Sequence, residues 1–370
     1  MICNQPMHQI WLKLICRKSI WFKYKHQWTE VGIMQSYKLL CAGIVGVLFS
    51  NVYASTIISN EYTVPYTSGQ TLYLKEKRLS TTQTGKVIVL INPLSIPALS
   101  AFDVPGYSLM DALAAKGYDV WGIDFTGEGS ASYPVSMSKF PAPSGVYPLE
   151  AKDAVKELKD GVDYIAKKTG KKSVDLLGWS WGSVVAAMYS IQHPKQVNHL
   201  VLYGSMYSSK LAESIQPIFI QPFESPAGVF SQSLPAYQNI PWKVINTHWN
   251  MMLESNPTIA SESAIDAVGK VYVSADPKPV IANSLRRPMG PMKDLFAIWN
   301  SQPIYDISKL TTPTLVIYGD QDLFADHELY SKLTNVKTKQ EIVLNGATHW
   351  LIYEKTRAEF VDDVAEFLNK

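Results

Sequence analysis

The fold is decided by one stretch of the chain, Asp175-Leu-Leu-Gly-Trp-Ser-Trp-Gly-Ser-Val-Val-Ala-Ala-Met188, which predicts a short apolar strand, an abrupt turn and a helix. Glycines two positions either side of Ser180 let the backbone reverse without a Cβ clash, so the serine hydroxyl projects from the tip of the turn. A helix starting after Ser180 directs free N–H groups and its positive dipole end toward negative charge beside the serine. The pattern is typical of a nucleophile elbow. Gly182 and Ala186, one helical turn apart, would let this helix lie close to the sheet.

Strand and helix patterns alternate on both sides of this stretch. After an antiparallel opening, the predicted strands cover residues 86–91, 119–123, 173–177, 197–203, 313–318 and 340–344. The predicted helices cover residues 107–116, 149–168, 181–192, 327–333 and 356–368. Continuous apolar runs such as residues 86–91 are expected of strands buried on both faces of a parallel sheet. The chain is therefore predicted to be an α/β protein with a doubly wound, mostly parallel sheet, whose functional groups gather at the carboxyl ends of the strands.

Residues 205–308 interrupt this alternation. They are rich in proline and in large apolar side chains, and the segment is too long for a structureless loop. We expect a mostly helical insertion that forms a lid, with the core built from residues 55–204 and 309–370. Because some of its aromatic side chains should roof the pocket, an apolar small-molecule ester or acyl substrate is favoured.

Two further side chains are needed for chemistry at Ser180. A serine hydroxyl is a poor nucleophile until a base takes its proton, and that base must be oriented by a carboxylate. The strand-end sequence Gly319-Asp320-Gln321-Asp322 supplies the carboxylate, and the loop after the last strand supplies His349. The order serine, aspartate, histidine is the one expected of an α/β-hydrolase.

The chain resembles the α/β-hydrolase superfamily from about residue 86 to residue 370. The segments that carry the resemblance are residues 124–130, 178–182, 313–322 and 346–349. It implies that Ser180 is the nucleophile, Asp322 the orienting acid and His349 the base. Asp320 is the second candidate acid, and by resemblance it shapes the turn.

The same resemblance assigns two backbone donors to an oxyanion hole. One is the N–H of Trp181. The second would lie after the first crossover strand, where the family usually has His-Gly and this chain has Asn92-Pro93-Leu94-Ser95. Proline has no N–H, so Leu94 is the donor by alignment and Ser95 is the alternative. The departure also removes the glycine-rich loop of some esterase and lipase branches.

The other histidines of the body receive no catalytic role. His193 and His199 flank a helix end and a strand, and we interpret them as structural. His248 lies in the insertion and His327 in the helix after Asp322, and both are expected to stand apart from the chemistry.

These features predict a serine hydrolase that cleaves a carboxylic ester, or an amide or thioester, through an acyl-enzyme. Alternatives are an acyltransferase with the same triad, a peptidase similar to the proline iminopeptidases, and a non-catalytic binding protein. A serine at the elbow argues against the haloalkane dehalogenase and epoxide hydrolase branches, which resemble this fold and use an aspartate there. No motif indicates a metal or an organic cofactor.

Composition sets residues 1–54 apart. They contain six Lys or Arg and one acid, so the net charge of +2 for the whole chain leaves −3 for the remainder. This body has no basic stripe that could neutralise phosphates, so nucleic acid is not an expected partner. The three cysteines, Cys3, Cys16 and Cys41, all lie in the leading segment. Their position excludes disulfides and thiolate ligands from the body.

Residues 34–54 have the pattern of a signal peptide. A lysine precedes an apolar run from Leu39 to Phe49, and small residues, Val52 and Ala54, occupy the third and first positions before a cut. The run is well short of the roughly 20 residues that span a bilayer. We expect Met34 to be the true start, with an upstream extension before it. After cleavage behind Ala54, the mature protein would be periplasmic or extracellular and would have no membrane span.

Overall fold

A mixed sheet forms the centre of the protein. The structure is a computed structural model, and it describes residues 56–81 and 85–370. The predicted signal peptide, its cleavage site and the three cysteines lie outside the described residues, so export stays a prediction. Within the described residues, no helix is both long and apolar enough to cross a bilayer.

The elements follow the predicted alternation. The strands are β1 (Ile57–Pro65), β2 (Thr71–Leu79), β3 (Val87–Ile91), β4 (Asp119–Asp124), β5 (Val174–Trp179), β6 (Val197–Tyr203), β7 (Tyr237–Pro241), β8 (Ser284–Pro288), β9 (Thr314–Gly319) and β10 (Lys339–Leu344). The helices are α1 (Ala98–Phe102), α2 (Leu109–Ala115), α3 (Ala151–Thr169), α4 (Trp181–Gln192), α5 (Gln216–Phe219), α6 (Trp242–Leu253), α7 (Glu262–Val273), α8 (Gly290–Trp299), α9 (Leu329–Lys332) and α10 (Arg357–Leu368).

Eight of the described strands form one sheet in the order β1-β2-β4-β3-β5-β6-β9-β10. β1 pairs with β2, and β2 with β4, in antiparallel fashion, whereas the other neighbours are parallel. The predicted fold class is therefore confirmed, including its antiparallel opening. Because β5, β6, β9 and β10 run in one direction, the loops that follow them meet at the same edge of the sheet.

Burial explains why the central strands have apolar sequences. Every residue of β3, β4, β5 and β9 is buried, because helices cover both faces of the sheet. The edge strand β1 instead alternates between exposed residues and residues that are partly or, at Val64, fully buried. Helix α4 packs against α3 and against strands β5 and β6, and nine of its twelve residues are buried.

The regular structure of the insertion between β6 and β9 is mostly helical, and it includes two strands that were not predicted. It holds helices α5 to α8, and it also holds a two-stranded antiparallel sheet in which Tyr237 pairs with Pro288. The two strands lie far apart in the chain and each ends at a proline, so the sequence contains no local hairpin signal for them. Helix α9 is also shorter than predicted.

Gly182 sets how closely α4 approaches the sheet. A Cβ built on Gly182 would lie 2.4 Å from the carbonyl oxygens of both Ile91 and Asn92. Backbone atoms cannot turn aside as a flexible side chain would, so any side chain here must push α4 away from β3.

We expect Gly182→Ala to lower the free energy of unfolding by about 1–3 kcal/mol, since overpacking should exceed the gain in helix propensity. Chemical denaturation would measure this. The matched control is Gly85→Ala, because Gly85 has no positive φ and a Cβ there would meet nothing within 4 Å. Equal stability of the two variants would contradict the close approach of α4.

Candidate functional site

Ser180 occupies a strained backbone position at the tip of the elbow. Its φ of 59° and ψ of −125° are rare for a residue with a side chain, and its N–H donates to the carbonyl oxygen of Tyr203 at 2.8 Å. The turn is too tight for side chains on its two glycines, since a Cβ on Gly178 would lie 2.4 Å from the carbonyl oxygen of Gly182. The sequence Gly-x-Ser-x-Gly thus forms the sharp strand-to-helix turn that it predicts.

His349 and Asp322 form a hydrogen-bonded pair in the loops after β10 and β9. The His349 Nδ1 atom lies 2.7 Å from Oδ2 of Asp322. The other carboxylate oxygen accepts the backbone N–H groups of Phe324 at 2.9 Å and Ala325 at 3.1 Å. Because these bonds hold the carboxylate, Oδ2 is directed at the imidazole, and the Nε2 atom of the ring is left for another partner.

Gly204, directly after β6, makes room for this pair. Its φ is +52°, and a Cβ built on it would lie 2.9 Å from Nδ1 of His349 and 3.0 Å from Oδ2 of Asp322. A larger residue would displace the pair. No local pattern in the sequence indicates this role of Gly204, because it depends on loops more than a hundred residues away in the chain.

Ser180 and His349 line the same cavity, which has a volume of about 230 Å³. Its walls are mostly apolar. The core contributes Trp179 and Trp350, and the insertion contributes a larger apolar group: Met206, Ile218, Phe219, Phe223, Ile240, Ile245, Met292 and Trp299. The insertion therefore forms part of the cavity wall.

The loop after β3 also reaches the cavity, where Pro93, Leu94 and Ser95 line it. The side chain of Asn92 fixes the start of this loop by donating to Oε2 of Glu128 at 2.8 Å. In the described part of the chain, no hydrogen bond uses the backbone N–H of Leu94. This N–H is thus available, and its assignment to the oxyanion stays a prediction.

The N–H of Trp181 is likewise free of partners among the described residues, since it is the first residue of α4. Its indole Nε1 donates to Oδ2 of Asp294 at 2.9 Å, and the same oxygen accepts the N–H of Ala151 at 2.7 Å. Burial raises the pKa of Asp294 to about 7. Asp294 therefore ties the start of α4 to α3 and α8.

A buried carboxylate holds the loop that carries His349. Glu354 accepts the backbone N–H of Thr348 at 2.8 Å on one oxygen. Its other oxygen accepts the Thr348 hydroxyl and the indole N–H of Trp249, the latter at 2.8 Å. Burial raises the pKa of Glu354 above its usual value. Because Trp249 belongs to α6, Glu354 joins the histidine loop to the insertion.

Asp320, the second candidate acid, is exposed and has a different partner. Its Oδ1 accepts the backbone N–H of Ala347 at 3.2 Å, which shapes the loop ahead of His349. Asp322 is therefore the carboxylate that contacts the imidazole in this structure.

The remaining histidines divide into two groups. Nδ1 of His199 pairs with Asp175 at 2.9 Å, His327 stacks on Tyr318, and the ring of His193 contacts that of Tyr189. These three have structural contacts. His248 lies in the cavity wall beside Phe219, and its expected lack of a catalytic role stays a prediction. Burial, followed by the charge of Arg287, lowers the pKa of His248 to about 4, so its ring is neutral at neutral pH.

Arg287, at the end of β8, is a cavity residue that the sequence analysis missed. It is buried, and its guanidinium donates to Ser95 Oγ at 3.2 Å and to Gln238 Oε1. Sequence alone could have found it only by pairing β7 with β8. Among the described residues, no group of three or more His, Cys, Asp or Glu side chains is arranged to hold a metal ion.

A strained serine turn, a histidine in the last loop and an inserted segment are features shared by a large family of proteins. The sequence model of the alpha/beta hydrolase fold matches residues 102–356. This chain belongs to the α/β-hydrolase fold family.

Relatives within the family are distant. Human (Homo sapiens) epoxide hydrolase 4 is 23% identical over 252 residues, which are 63% of this chain and 60% of that protein. The chain therefore spans about three fifths of the length of this curated relative.

Similar solved structures include the thioesterase domain from the curacin biosynthetic pathway, with 14% identity, a TM-score of 0.54 and coverage of 85% of this chain and 100% of that one. Another is an epoxide hydrolase from Vigna radiata, with 13% identity, a TM-score of 0.55 and coverage of 84% and 98%. At such identities the likeness to these α/β-hydrolase structures shows the fold alone.

We expect Glu354→Gln to lower the free energy of unfolding by about 1–3 kcal/mol. Whichever way the amide turns, its NH₂ group must face the N–H of either Thr348 or Trp249, and one hydrogen bond is lost. Chemical denaturation of the full chain would measure the change. A variant as stable as the wild type would contradict the three-donor arrangement.

Glu157→Gln is the matched control at another buried glutamate. Glu157 accepts the N–H of Thr126 at 2.8 Å and contacts its hydroxyl, which can reverse to accept from an amide. Burial raises the pKa of Glu157 from 4.5 to about 7, so its ionisation should cost stability as the pH rises through that range. We therefore expect Glu157→Gln to be no less stable than the wild type at about pH 8, with the advantage shrinking toward about pH 5.

Proposed function

We propose that this protein is a serine hydrolase that cleaves a carboxylic ester through an acyl-enzyme. The observation that carries the proposal is the shared cavity of Ser180 and His349, together with the 2.7 Å contact of His349 Nδ1 with Asp322. This arrangement supplies a nucleophile, a base and an orienting carboxylate.

In the first half of the reaction, the Ser180 hydroxyl attacks the ester carbonyl carbon while His349 Nε2 takes its proton. Asp322 stabilises the positive charge that the imidazole gains. The oxyanion would accept hydrogen bonds from the N–H groups of Trp181 and Leu94. When this intermediate collapses, His349 returns the proton to the departing alcohol, and the acyl group stays on Ser180.

In the second half, water replaces the alcohol and the same steps release the carboxylic acid. An acyltransferase would differ only in using another alcohol in place of water. Identifying the product by chromatography, with and without an added alcohol, distinguishes the two reactions.

The names of the relatives suggest epoxide opening, and the residue at the elbow argues against it here. Attack of the Ser180 oxygen on an epoxide carbon would form an ether. An ether has no carbonyl carbon for water to attack, so the enzyme would not turn over. Attack on an ester instead leaves an acyl-enzyme that water can hydrolyse.

The peptidase alternative needs an acidic group to bind the free amine of its substrate. None of the described residues lining the cavity is an Asp or a Glu, and its one side chain with a fixed charge is the cation Arg287. The cavity therefore favours an ester without an amine.

A fluorophosphonate is expected to add its mass to Ser180 and to no other residue, as read by peptide mass spectrometry. Ser180→Ala should abolish labelling and reduce kcat for ester hydrolysis by about 10⁶-fold, as when other triad serines are removed. Labelling at a different residue, or a mild loss of turnover, would contradict nucleophilic catalysis by Ser180.

Asp322→Asn and Asp320→Asn form a matched pair of variants only two positions apart. We expect Asp322→Asn to lower kcat by about 10⁴-fold, because an amide can hold the imidazole in the wrong tautomer. Asp320→Asn should reduce kcat far less, since Asp320 contacts only the loop backbone at Ala347. Similar losses in both variants would reject the assignment of Asp322 as the orienting acid.

A further inference from the structure

Arg286 and Arg287 are neighbours on β8, and their side chains have different surroundings. Arg286 forms a bidentate ion pair with Asp276, with Nη2 to Oδ1 at 2.7 Å and Nε to Oδ2 at 2.8 Å. Its guanidinium also lies over the ring of Tyr133, 3.9 Å from the centroid. Because successive side chains of a strand point to opposite faces, Arg287 is directed away from these partners and lines the cavity.

Among the described residues, Arg287 has no anionic partner. It is only 6% exposed, and no Asp or Glu in the described part of the chain forms an ion pair with it. Its terminal nitrogens donate to two neutral acceptors, Ser95 Oγ and Gln238 Oε1, and its Nε–H is buried with no acceptor in the part of the chain that the structure describes. A buried cation with an unused donor is costly unless something compensates it, so its presence in the cavity requires an explanation.

The charge is present at neutral pH. Burial lowers the pKa of Arg287 to about 10, which still leaves it protonated. The adjacent His248 is neutral, because burial lowers its pKa to about 4. Among its described lining residues, the cavity that contains Ser180 and His349 therefore has a single cation within mostly apolar walls.

We propose that Arg287 binds a carboxylate on the substrate, so that the enzyme acts on an ester whose apolar chain ends in one negative charge. The planar guanidinium matches the two oxygens of a carboxylate. A single cation balances a monoanion, whereas a phosphate dianion would leave excess charge in an apolar site. This inference rests on the proposed ester hydrolysis, and it replaces the uncharged substrate expected from the apolar insertion.

Arg287 has a second contact that the test must separate from carboxylate binding. Its bond to Ser95 joins β8 to the loop that carries Leu94, so removing Arg287 could also disturb the oxyanion hole. Loss of this structural hydrogen bond would lower activity on every ester equally. Loss of a carboxylate partner would lower activity on the anionic ester selectively.

The experiment compares kcat/KM for esters that differ by one charge, using the full chain. Monomethyl glutarate against dimethyl glutarate places the carboxylate on the acyl side, and 4-acetoxybutanoate against its methyl ester places it on the alcohol side. We expect the wild type to prefer the anionic member of at least one pair. In Arg287→Met that preference should fall by about 100-fold, and Arg287→Lys should retain part of it. A wild type that prefers both neutral esters, or an equal loss on charged and neutral esters in Arg287→Met, would overturn the proposal.

A binding measurement keeps this result separate from the proposed catalysis. In Ser180→Ala, calorimetry should find monomethyl glutarate or 4-acetoxybutanoate bound at least about tenfold more tightly than its neutral partner, and the further change Arg287→Met should remove the difference. If the wild type hydrolyses none of the four esters and takes up no fluorophosphonate, the proposed function fails while this binding still decides the role of Arg287. Equal binding of charged and neutral ligands would reject the carboxylate site whatever the catalytic result. Should Arg287→Met fail to fold by circular dichroism, the wild-type preference and Arg287→Lys still decide the question.

Discussion

The carboxyl end of β6 holds the candidate site together. Tyr203 accepts the N–H of Ser180 on its carbonyl oxygen, and its hydroxyl donates to the carbonyl oxygen of His349 at 2.7 Å. The next residue, Gly204, leaves the space in which His349 meets Asp322. The loops after β5, β9 and β10 are thus fixed against two consecutive residues. Both hydrogen bonds are buried, so they hold these loops without competition from water.

The insertion does more than cover the candidate site. Trp249 connects it to the histidine loop through Glu354, and Asp294 connects it to the start of α4 through the indole of Trp181. The same segment supplies most of the apolar cavity wall and also Arg287. In the described residues the sheet edge therefore holds Ser180, Asp322 and His349, while the insertion supplies most of the wall beside them.

Comparison with relatives indicates the fold of this chain and says much less about its reaction. The distant relatives and structural neighbours carry names as different as epoxide hydrolase and thioesterase. The proposed reaction depends instead on the atom presented at the elbow, here the hydroxyl oxygen of Ser180, and on the bonds that water can later break. A single residue at a shared position thus has more bearing on the proposed chemistry than overall similarity does.

The sequence by itself determined the alternation of strands and helices, the sharp turn at Ser180 and the candidate partners Asp322 and His349. These features are readable because they depend on local patterns: apolar runs, glycine spacing and the position of polar residues just after strands. Only the tertiary structure decided between Asp322 and Asp320 as the contact of the imidazole, and only it placed His248 and Arg287 in the cavity. Such features arise where distant segments meet, as when β7 pairs with β8, and no local pattern records which segment will lie opposite another. The direction of the Arg287 side chain follows from that pairing, and its missing counter-charge becomes visible only once the neighbouring elements are in place.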